Sequence, residues 1–195
     1  MRKQHYINQL NAKDEKLLFV LKNSQHISQA QILLLISRSR ADNFCKEGVI
    51  RKVHYIADGR QQTAYELTHK GKQFIKSNYP SWGSKYYSSS TAVRHNIALA
   101  NIVMQYADSK TWRNENELRE MMMERITDSI ELRFQYIQQL ERNEISVCDG
   151  AVVNRETGEI EQLIEITNDN YTSEIIQQKE NFGAIFNSAV TFVHQ

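Results

Sequence analysis

Basic and amide side chains recur along a short segment that follows Ser37. Arginine and asparagine hydrogen-bond to base edges and to phosphates, and the first turn of a helix attracts phosphate through its dipole. A helix in this segment would turn Ala41, Phe44 and Cys45 inward. The outward positions then fall to Arg38, Arg40, Asn43 and Lys46, and a following hairpin adds Arg51, Lys52 and Arg60. These residues predict an interface for duplex DNA; the alternative is a set of ordinary solvated surface charges.

Three acidic positions in the second half have the chemistry of a metal site: Glu117, Asp149 and Glu165. Carboxylate oxygens are the ligands that magnesium prefers. Glu165 lies between Ile164 and Ile166, so strand alternation places its side chain on the face opposite both isoleucines. Each position also has a structural interpretation. Asp149 would lie in a turn or bulge, Glu165 would face solvent, and Glu117 would cover an exposed sheet edge.

Apolar patterning and capping residues predict the elements that carry the basic set. Gly48 has the position that glycine favours after a helix end, and Asp58-Gly59 is a hairpin turn sequence. The predicted order is a helix from Asp14 to Leu21, a second capped by Ser28, a third capped by Ser37 or Ser39, strands Val49–Ile56 and Gln62–Leu67, and a helix from Thr68 to Ile75.

The second half predicts a mixed α/β domain. Two of its strands are joined by a turn-rich loop, which indicates a hairpin. The predicted elements are a helix from Thr91 to Tyr106, a strand from Thr111 to Leu118, a partly helical segment from Met121 to Leu140, strands Ile145–Val153 and Ile160–Thr167, a helix from Ser173 to Phe186 and a strand from Ala189 to Val193.

Composition divides the chain near its only proline, Pro80, which lies among small polar residues. Residues 1–90 carry 15 Lys/Arg against six Asp/Glu, whereas residues 91–195 carry nine against 17. A basic half of this kind is expected to face a polyanion, and an acidic half to repel DNA. We therefore predict a DNA-binding domain over residues 1–80 and a second domain over residues 91–195.

Cysteine usage and hydropathy predict the cellular compartment of the protein. Cys45 and Cys148 are far apart and lack paired spacing, so disulfide scaffolding and cysteine-based zinc sites are not expected. No apolar run approaches membrane-spanning length, and the N-terminus lacks the apolar core of a signal peptide. The expected protein is cytoplasmic and has no membrane partner.

The first half resembles winged-helix regulators of the MarR and PadR type. The residues that carry the resemblance are the helix from Ser37 to Gly48, the basic hairpin and the exit Tyr65-Glu66-Leu67-Thr68-His69-Lys70-Gly71. The resemblance covers about residues 12–76. It implies a helix laid in a DNA groove with a β-wing beside it.

The second half resembles the PD-(D/E)xK nuclease fold, in which an Asp and a Glu on adjacent strands share a divalent metal. By this resemblance Asp149 and Glu165 would be the metal ligands, and Glu117 and Lys179 would complete the catalytic set. The sequence departs from the pattern because Thr167 replaces the lysine expected two residues past the Glu, and Cys148 replaces a proline. Lys179 is a candidate for a migrated lysine; the favoured interpretation is a surface helix lysine.

Taken nearly whole, the chain is similar to the replication-relaxation family of plasmids and integrative elements, a winged helix followed by a degenerate nuclease-like domain. The resemblance is carried by Arg94-His95-Asn96, Trp112 to Leu118, Asp149-Gly150, Glu165, and Lys179 ahead of Phe182. It implies a DNA-binding accessory factor in replication, relaxation or conjugative transfer, or a transcriptional regulator.

The expected fold class is therefore α+β: an N-terminal winged helix-turn-helix domain followed by a mixed α/β, nuclease-like domain without cofactor. Expected partners are double-stranded DNA, a relaxase or replication protein, and a second copy in a homodimer. The first alternative is a metal-dependent DNA endonuclease that uses Mg²⁺ at Asp149 and Glu165. The second is a winged helix that binds only protein, against which the clustered basic residues argue.

Overall fold

Two compact units divide the chain, one over residues 1–110 and one over residues 111–195. A computed structural model describes residues 6–7, 9–88 and 92–195. Within these residues the protein is mixed α+β, with eight α-helices, and seven strands in two separate sheets. The predicted α+β class is confirmed.

Polar caps start the first four helices of the first unit, because each cap side chain accepts a hydrogen bond from a first-turn amide. The caps are Asn11, Ser28, Ser37 and Thr68. The helices of this unit are α1 (Ala12–Ser24), α2 (Gln29–Leu35), α3 (Arg38–Lys46), α4 (His69–Asn78) and α5 (Val93–Tyr106). Ser37, rather than Ser39, is the cap of α3.

The sheet of the first unit has three antiparallel strands: β1 (His26–Ser28), β2 (Ile50–Ala57) and β3 (Arg60–Leu67). The central strand is β3, with β1 on one side and β2 on the other. Asp58 and Gly59 both have positive φ, 52° and 69°, which is the two-residue hairpin turn that the sequence predicts. The sequence does not predict β1, because three residues after a helix carry too short a pattern to be read as a strand.

Helix α5 belongs to the first unit, although composition groups it with residues 91–195. It packs against α1 and β1 through a fully buried face that contains Leu99, Ala100 and Val103. Buried Asn96 of this helix contacts the His26 ring, and the distance from Asn96 Nδ2 to His26 Nδ1 is 2.8 Å. Linker composition therefore does not coincide with the division between the units. Thr91, the predicted start of this helix, lies outside the described residues.

The second unit contains a four-stranded mixed sheet flanked in sequence by three helices. Its elements are β4 (Trp112–Asn114), α6 (Glu115–Asp128), α7 (Ile130–Glu141), β5 (Gly150–Val153), β6 (Ile160–Thr167), α8 (Ser173–Ile185) and β7 (Val190–His194). The strand order is β4-β5-β6-β7. The first two pairings are antiparallel and β6 pairs with β7 in parallel, so α8 is the crossover connection between those two strands.

Two predicted strands of this unit are shorter in the structure. The strand expected over Thr111–Leu118 ends at Asn114, because Asn114 and Glu117 form a capping box that begins α6. The strand expected over Ile145–Val153 begins at Gly150. A β-carbon at that glycine would lie 2.0 Å from a ring carbon of Trp112, so only glycine allows β4 and β5 to pair here.

Candidate nucleic-acid interface and buried carboxylate cluster

Arg38 is the first residue of α3 and is exposed. Its position follows from the Ser37 cap, whose hydroxyl accepts the amide of Arg40 at 3.3 Å and so fixes where the helix begins. Arg38 makes no ion pair with another described residue. Its guanidinium therefore lies at a helix N-terminus, where both its own charge and the helix dipole favour a phosphate.

Arg40 does not point outward as predicted. Its guanidinium forms a forked pair with the Asp14 carboxylate, at 3.0 Å from Nε and 2.7 Å from Nη2, and also donates to the Gln9 carbonyl. The Asp14 side chain is fully buried and accepts the Asn11 amide in the capping box of α1. Arg40 therefore joins α3 to the start of α1, and the two hydrogen bonds raise the pKa of its guanidinium.

Lys52 lies on the sheet face that α3 packs against. It stands beside Tyr65 in the strand register, and its Nζ is 3.6 Å from the Asp42 carboxylate of α3. The positive charges of Lys52 and Arg38 both act on the Tyr65 hydroxyl, although burial is the largest effect and raises its pKa. The structure thus brings Arg38 and Lys52 to the same side of the first unit.

Arg51 lies on the opposite face of the sheet, because successive strand residues alternate. It stands in register with Glu66 of β3, which in turn stands in register with His26 of β1. Arg51 is paired to the Glu66 carboxylate at 2.6 Å, and His26 Nε2 lies 3.3 Å from the other oxygen of that carboxylate. Arg51 therefore does not share a surface with Arg38 and Lys52.

The other predicted basic residues have more open positions. Arg60 is exposed in the first position of β3, beside the Asp58-Gly59 turn. Lys46 is exposed at the end of α3, with Nζ 5.3 Å from the ring centre of Tyr6, and Asn43 is half-buried in the same helix. Arg60 stands in register with Ala57, so its strand position is on the sheet face of Arg51, at the tip of the hairpin. We define the basic face by the exposed residues Arg38 and Lys52, which share one side of the unit, together with exposed Arg60 at the hairpin tip.

Asp149 and Glu165 are buried in the second unit, and each carboxylate accepts a backbone amide from the other segment. Asp149 Oδ2 accepts the amide of Ile166 at 2.8 Å, and Glu165 Oε2 accepts the amide of Asp149 at 3.0 Å. The two residues are 5 % and 1 % exposed. They join the residue before β5 to β6, so the interpretation of Glu165 as a solvent-facing strand residue is wrong.

Lys179 completes this cluster from α8 and is not a surface residue. Its Nζ is 2.8 Å from Glu165 Oε1 and donates to the Val147 carbonyl at 2.6 Å. The favoured interpretation as a surface helix lysine is therefore wrong. Position 179 faces inward because α8 is the crossover that lies against β6, and the helix turns this position towards the sheet.

Tyr171, which no sequence pattern singles out, closes the cluster. Its hydroxyl donates to Glu165 Oε1 at 2.5 Å. Burial, followed by the neighbouring charge of Asp149, raises the pKa of Glu165, while Lys179 and Tyr171 oppose that rise. Burial and the bond to Glu165 raise the pKa of Tyr171. An aromatic residue in a short connection carries no signal that would identify it in advance.

Glu117 has a different role from the one predicted. Its Oε2 accepts the Asn114 amide at 3.0 Å, which is the second half of the capping box. Burial and then the charge of Glu165 raise the pKa of Cys148. Glu115 of α6, two positions before Glu117, adds a smaller rise. The structure thus assembles Asp149, Glu165 and Lys179 and uses Glu117 to start a helix.

The donor set does not fit a resident magnesium ion. Mg²⁺ takes six oxygen ligands in octahedral geometry and keeps several waters. Both Glu165 oxygens and Asp149 Oδ2 already accept hydrogen bonds within a buried cluster. Across the part of the chain that is described, no three His, Cys, Asp or Glu side chains are grouped to hold a metal.

No family model, curated protein or solved structure matches this chain.

Its two units differ strongly in charge. Residues 1–110 carry 17 Lys/Arg against seven Asp/Glu, a net +10, and residues 111–195 carry seven against 16, a net −9. Among the described helices none is both long and apolar enough to cross a bilayer.

Proposed function

We propose that this protein binds double-stranded DNA through its first unit. The observation that carries the proposal is the basic face: Arg38 at the start of α3, Lys52 on the same side of the sheet and Arg60 at the hairpin turn. A nucleic-acid surface needs clustered cations presented by elements that fit a groove, as a helix start and a hairpin tip do. The net +10 of this unit supports a polyanionic partner.

The proposed docking is that of a winged helix. The element order α1-β1-α2-α3-β2-β3-α4 supports it, with α3 as the helix in the major groove and the β2–β3 hairpin as the wing. Arg38 would contact base edges or phosphate from the first turn, and Arg60 would reach the backbone or minor groove. Arg40 has a positioning role here, because its pair with Asp14 fixes the start of α3 on α1.

The second unit supports the proposal of a nuclease-like fold whose carboxylates have become structural. The evidence is the β4-β5-β6-β7 order, the crossover helix α8 and the closed Asp149–Glu165–Lys179 cluster. The protein would then be a replication-relaxation-type factor of a plasmid or mobile element. It would act as an accessory factor in replication, relaxation or conjugative transfer, or as a transcriptional regulator. Its protein partner would be a relaxase or a replication protein.

DNA binding is tested by the salt dependence of affinity for a duplex library. Replacing Arg38, Lys52 and Arg60 by alanine together should reduce the slope of log affinity against log salt by about 0.9 for each phosphate that the protein no longer neutralises. The matched control replaces Lys13, Lys72 and Lys76, three exposed lysines outside the basic face. Equal effects in the two variants, or an unchanged slope in the first, would reject this face as the interface.

A metal-dependent DNA endonuclease is the second candidate, favoured by one observation: Lys179 stands beside Glu165, where a migrated nuclease lysine would be. The closed carboxylates argue against it. Incubation of supercoiled plasmid with the protein and magnesium or manganese decides the matter. Nicking that is abolished in Asp149→Ala and retained in the exposed control Glu174→Ala would establish the endonuclease and reject a purely structural role for the carboxylate cluster.

A further inference from the structure

The second unit contains an open groove of about 800 Å³, separate from the carboxylate cluster. It is formed by one side of α6, the corner between α6 and α7, the loop that joins β5 to β6, and the end of α8. A volume of this size accommodates several side chains of a bound segment. The groove is built within one unit, and no function proposed above uses it.

The floor of the groove is apolar. It is formed by Met121, Leu132, Ile160 and Phe186, which are half-buried and pack against the core of the unit. Their inner sides are held by the core, and their outer sides line the groove. An apolar side chain placed here would remove further apolar surface from water, which is the main source of affinity at such sites.

The rim of the groove is acidic. Glu124, Asp128 and Glu159 are exposed around it. Glu124 and Asp128 make no ion pair with another described residue. The cation among the lining residues is Arg125, whose guanidinium lies 5.7 Å from the ring centre of Phe186. The rim therefore has a net charge of −2, within a unit of net −9.

We propose that this groove binds a basic segment of a protein partner, with one apolar side chain on the floor and lysine or arginine side chains against the rim. Charge complementarity favours a basic segment over other ligands. Nucleic acid would meet three carboxylates, and an uncharged apolar ligand would leave them without partners. Exposed rim charges contribute to encounter rate and specificity, whereas the buried apolar contact supplies affinity. The proposal stands independently of DNA binding by the first unit.

The test uses fluorescence anisotropy with a short synthetic peptide of lysines and arginines around a central leucine pair. Two matched peptides replace the leucines by serine or the basic residues by glutamate. The first peptide should bind the full-length protein, and both matched peptides should bind at least about tenfold more weakly. The Glu124→Lys, Asp128→Lys, Glu159→Lys variant should also lose at least about tenfold in affinity for the first peptide.

A charge-matched control identifies the groove as the site. Glu131→Lys, Glu141→Lys and Glu174→Lys make the same change in net charge at exposed positions outside the groove. This variant should keep affinity within about threefold of the unmodified protein, since rim charges are local. Circular dichroism verifies folding of both variants, and Glu124→Gln, Asp128→Asn, Glu159→Gln replaces the reversal if that variant does not fold.

Four outcomes would overturn the proposal. They are absence of peptide binding, an equal loss of affinity in the control variant, equal binding of the serine peptide, and occupation of the groove by a second copy. The last would appear in sedimentation velocity as self-association that the rim reversal abolishes and the control variant retains. Loss of DNA binding by the Arg38, Lys52, Arg60 variant with unchanged peptide binding would separate this proposal from the first.

Discussion

Arg38 and Arg40 stand two residues apart in one helix, and the structure assigns them different roles. Arg38 is exposed at the helix start, and Arg40 is only 22 % exposed in its forked pair with buried Asp14. An arginine fork that matches both carboxylate oxygens is specific in geometry as well as charge. In a variant that lacks both arginines, weaker DNA binding would therefore combine the removal of a phosphate ligand with the displacement of a helix.

Arg40→Ala should destabilise the protein by about 1.5–3 kcal/mol, because it leaves the buried Asp14 carboxylate without its charged donor. Arg38→Ala, at an exposed site of the same helix, should change stability by no more than about 0.5 kcal/mol. Urea denaturation followed by circular dichroism measures both values. Equal destabilisation by the two substitutions would show that the pair with Asp14 does not hold α3.

His26 should make the protein less stable in mild acid. Its pKa lies below the ordinary 6.5 because burial outweighs the attraction of Glu66, and the charge of Arg51 also lowers it. Folded His26 therefore binds its proton less readily than unfolded His26. Its stabilising contribution is fully present above pH 6.5 and is lost as pH falls through the lowered value.

The measurement compares free energies of unfolding above about pH 6.5 and at about pH 5. His26→Gln, which keeps a polar group beside Asn96, should lose less stability over this range than the unmodified protein. His69→Gln, at an exposed position of α4, serves as the control and should follow the unmodified protein. Parallel pH profiles for all three proteins would refute the assignment.

At the scale of elements, cross-strand rows and caps decide what the helices and strands present. The row His26–Glu66–Arg51 spans the three strands on one face of the first sheet, and the row Ile27–Tyr65–Lys52 spans the same strands on the other. Alternation therefore separates the neighbouring residues Arg51 and Lys52. This separation leaves Arg51 out of the basic face, which includes Lys52 within the hairpin and Arg60 at its tip.

The Lys179–Glu165 pair joins α8 to β6, so it should contribute to the stability of the second unit. Lys179→Met leaves a buried, uncompensated carboxyl group and should destabilise the protein by about 3–5 kcal/mol. The double variant Glu165→Gln, Lys179→Met should cost less than Lys179→Met alone, because no charge is then left buried at this pair. Denaturant unfolding of the variants gives these energies, and simple additivity would mean that the pair does not act as a unit.

At the scale of the whole molecule, opposite charges are divided between two units. A basic unit of net +10 and an acidic unit of net −9 give an overall charge of only +1. Net charge alone would therefore indicate neither a DNA partner nor a basic protein partner. The division supports two separate binding surfaces, the basic face for a polyanion and the acidic groove for a polycation.

The homodimer expected from the sequence predicts the form of the DNA site. Two copies related by two-fold symmetry read inverted half-sites, with centres about 10 base pairs or a multiple of that distance apart. Selection of bound duplexes from a random library, followed by sedimentation of the complex, measures site symmetry and stoichiometry. A single asymmetric site that binds one copy would exclude the dimer.

The sequence by itself determined the features that depend on neighbouring residues. Ser28, Ser37 and Thr68 begin helices where capping chemistry predicts, and Asp58-Gly59 turns the hairpin. The sequence also predicted the overall fold class, the positions of most elements and the unequal charge of the two halves. Each of these depends on side chains within a few residues of one another, or on composition, and so needs no knowledge of the fold.

The tertiary structure decided which side chains meet across long separations. Arg40 and Asp14 are 26 positions apart, and Arg51 and Glu66 are 15 apart, so no local pattern distinguishes an arginine in such a pair from one that faces solvent. Lys179 became a cluster residue only because α8 crosses to place it against β6. Chain topology and strand register, more than residue type, therefore selected the basic face, the closed carboxylate cluster and the acidic groove.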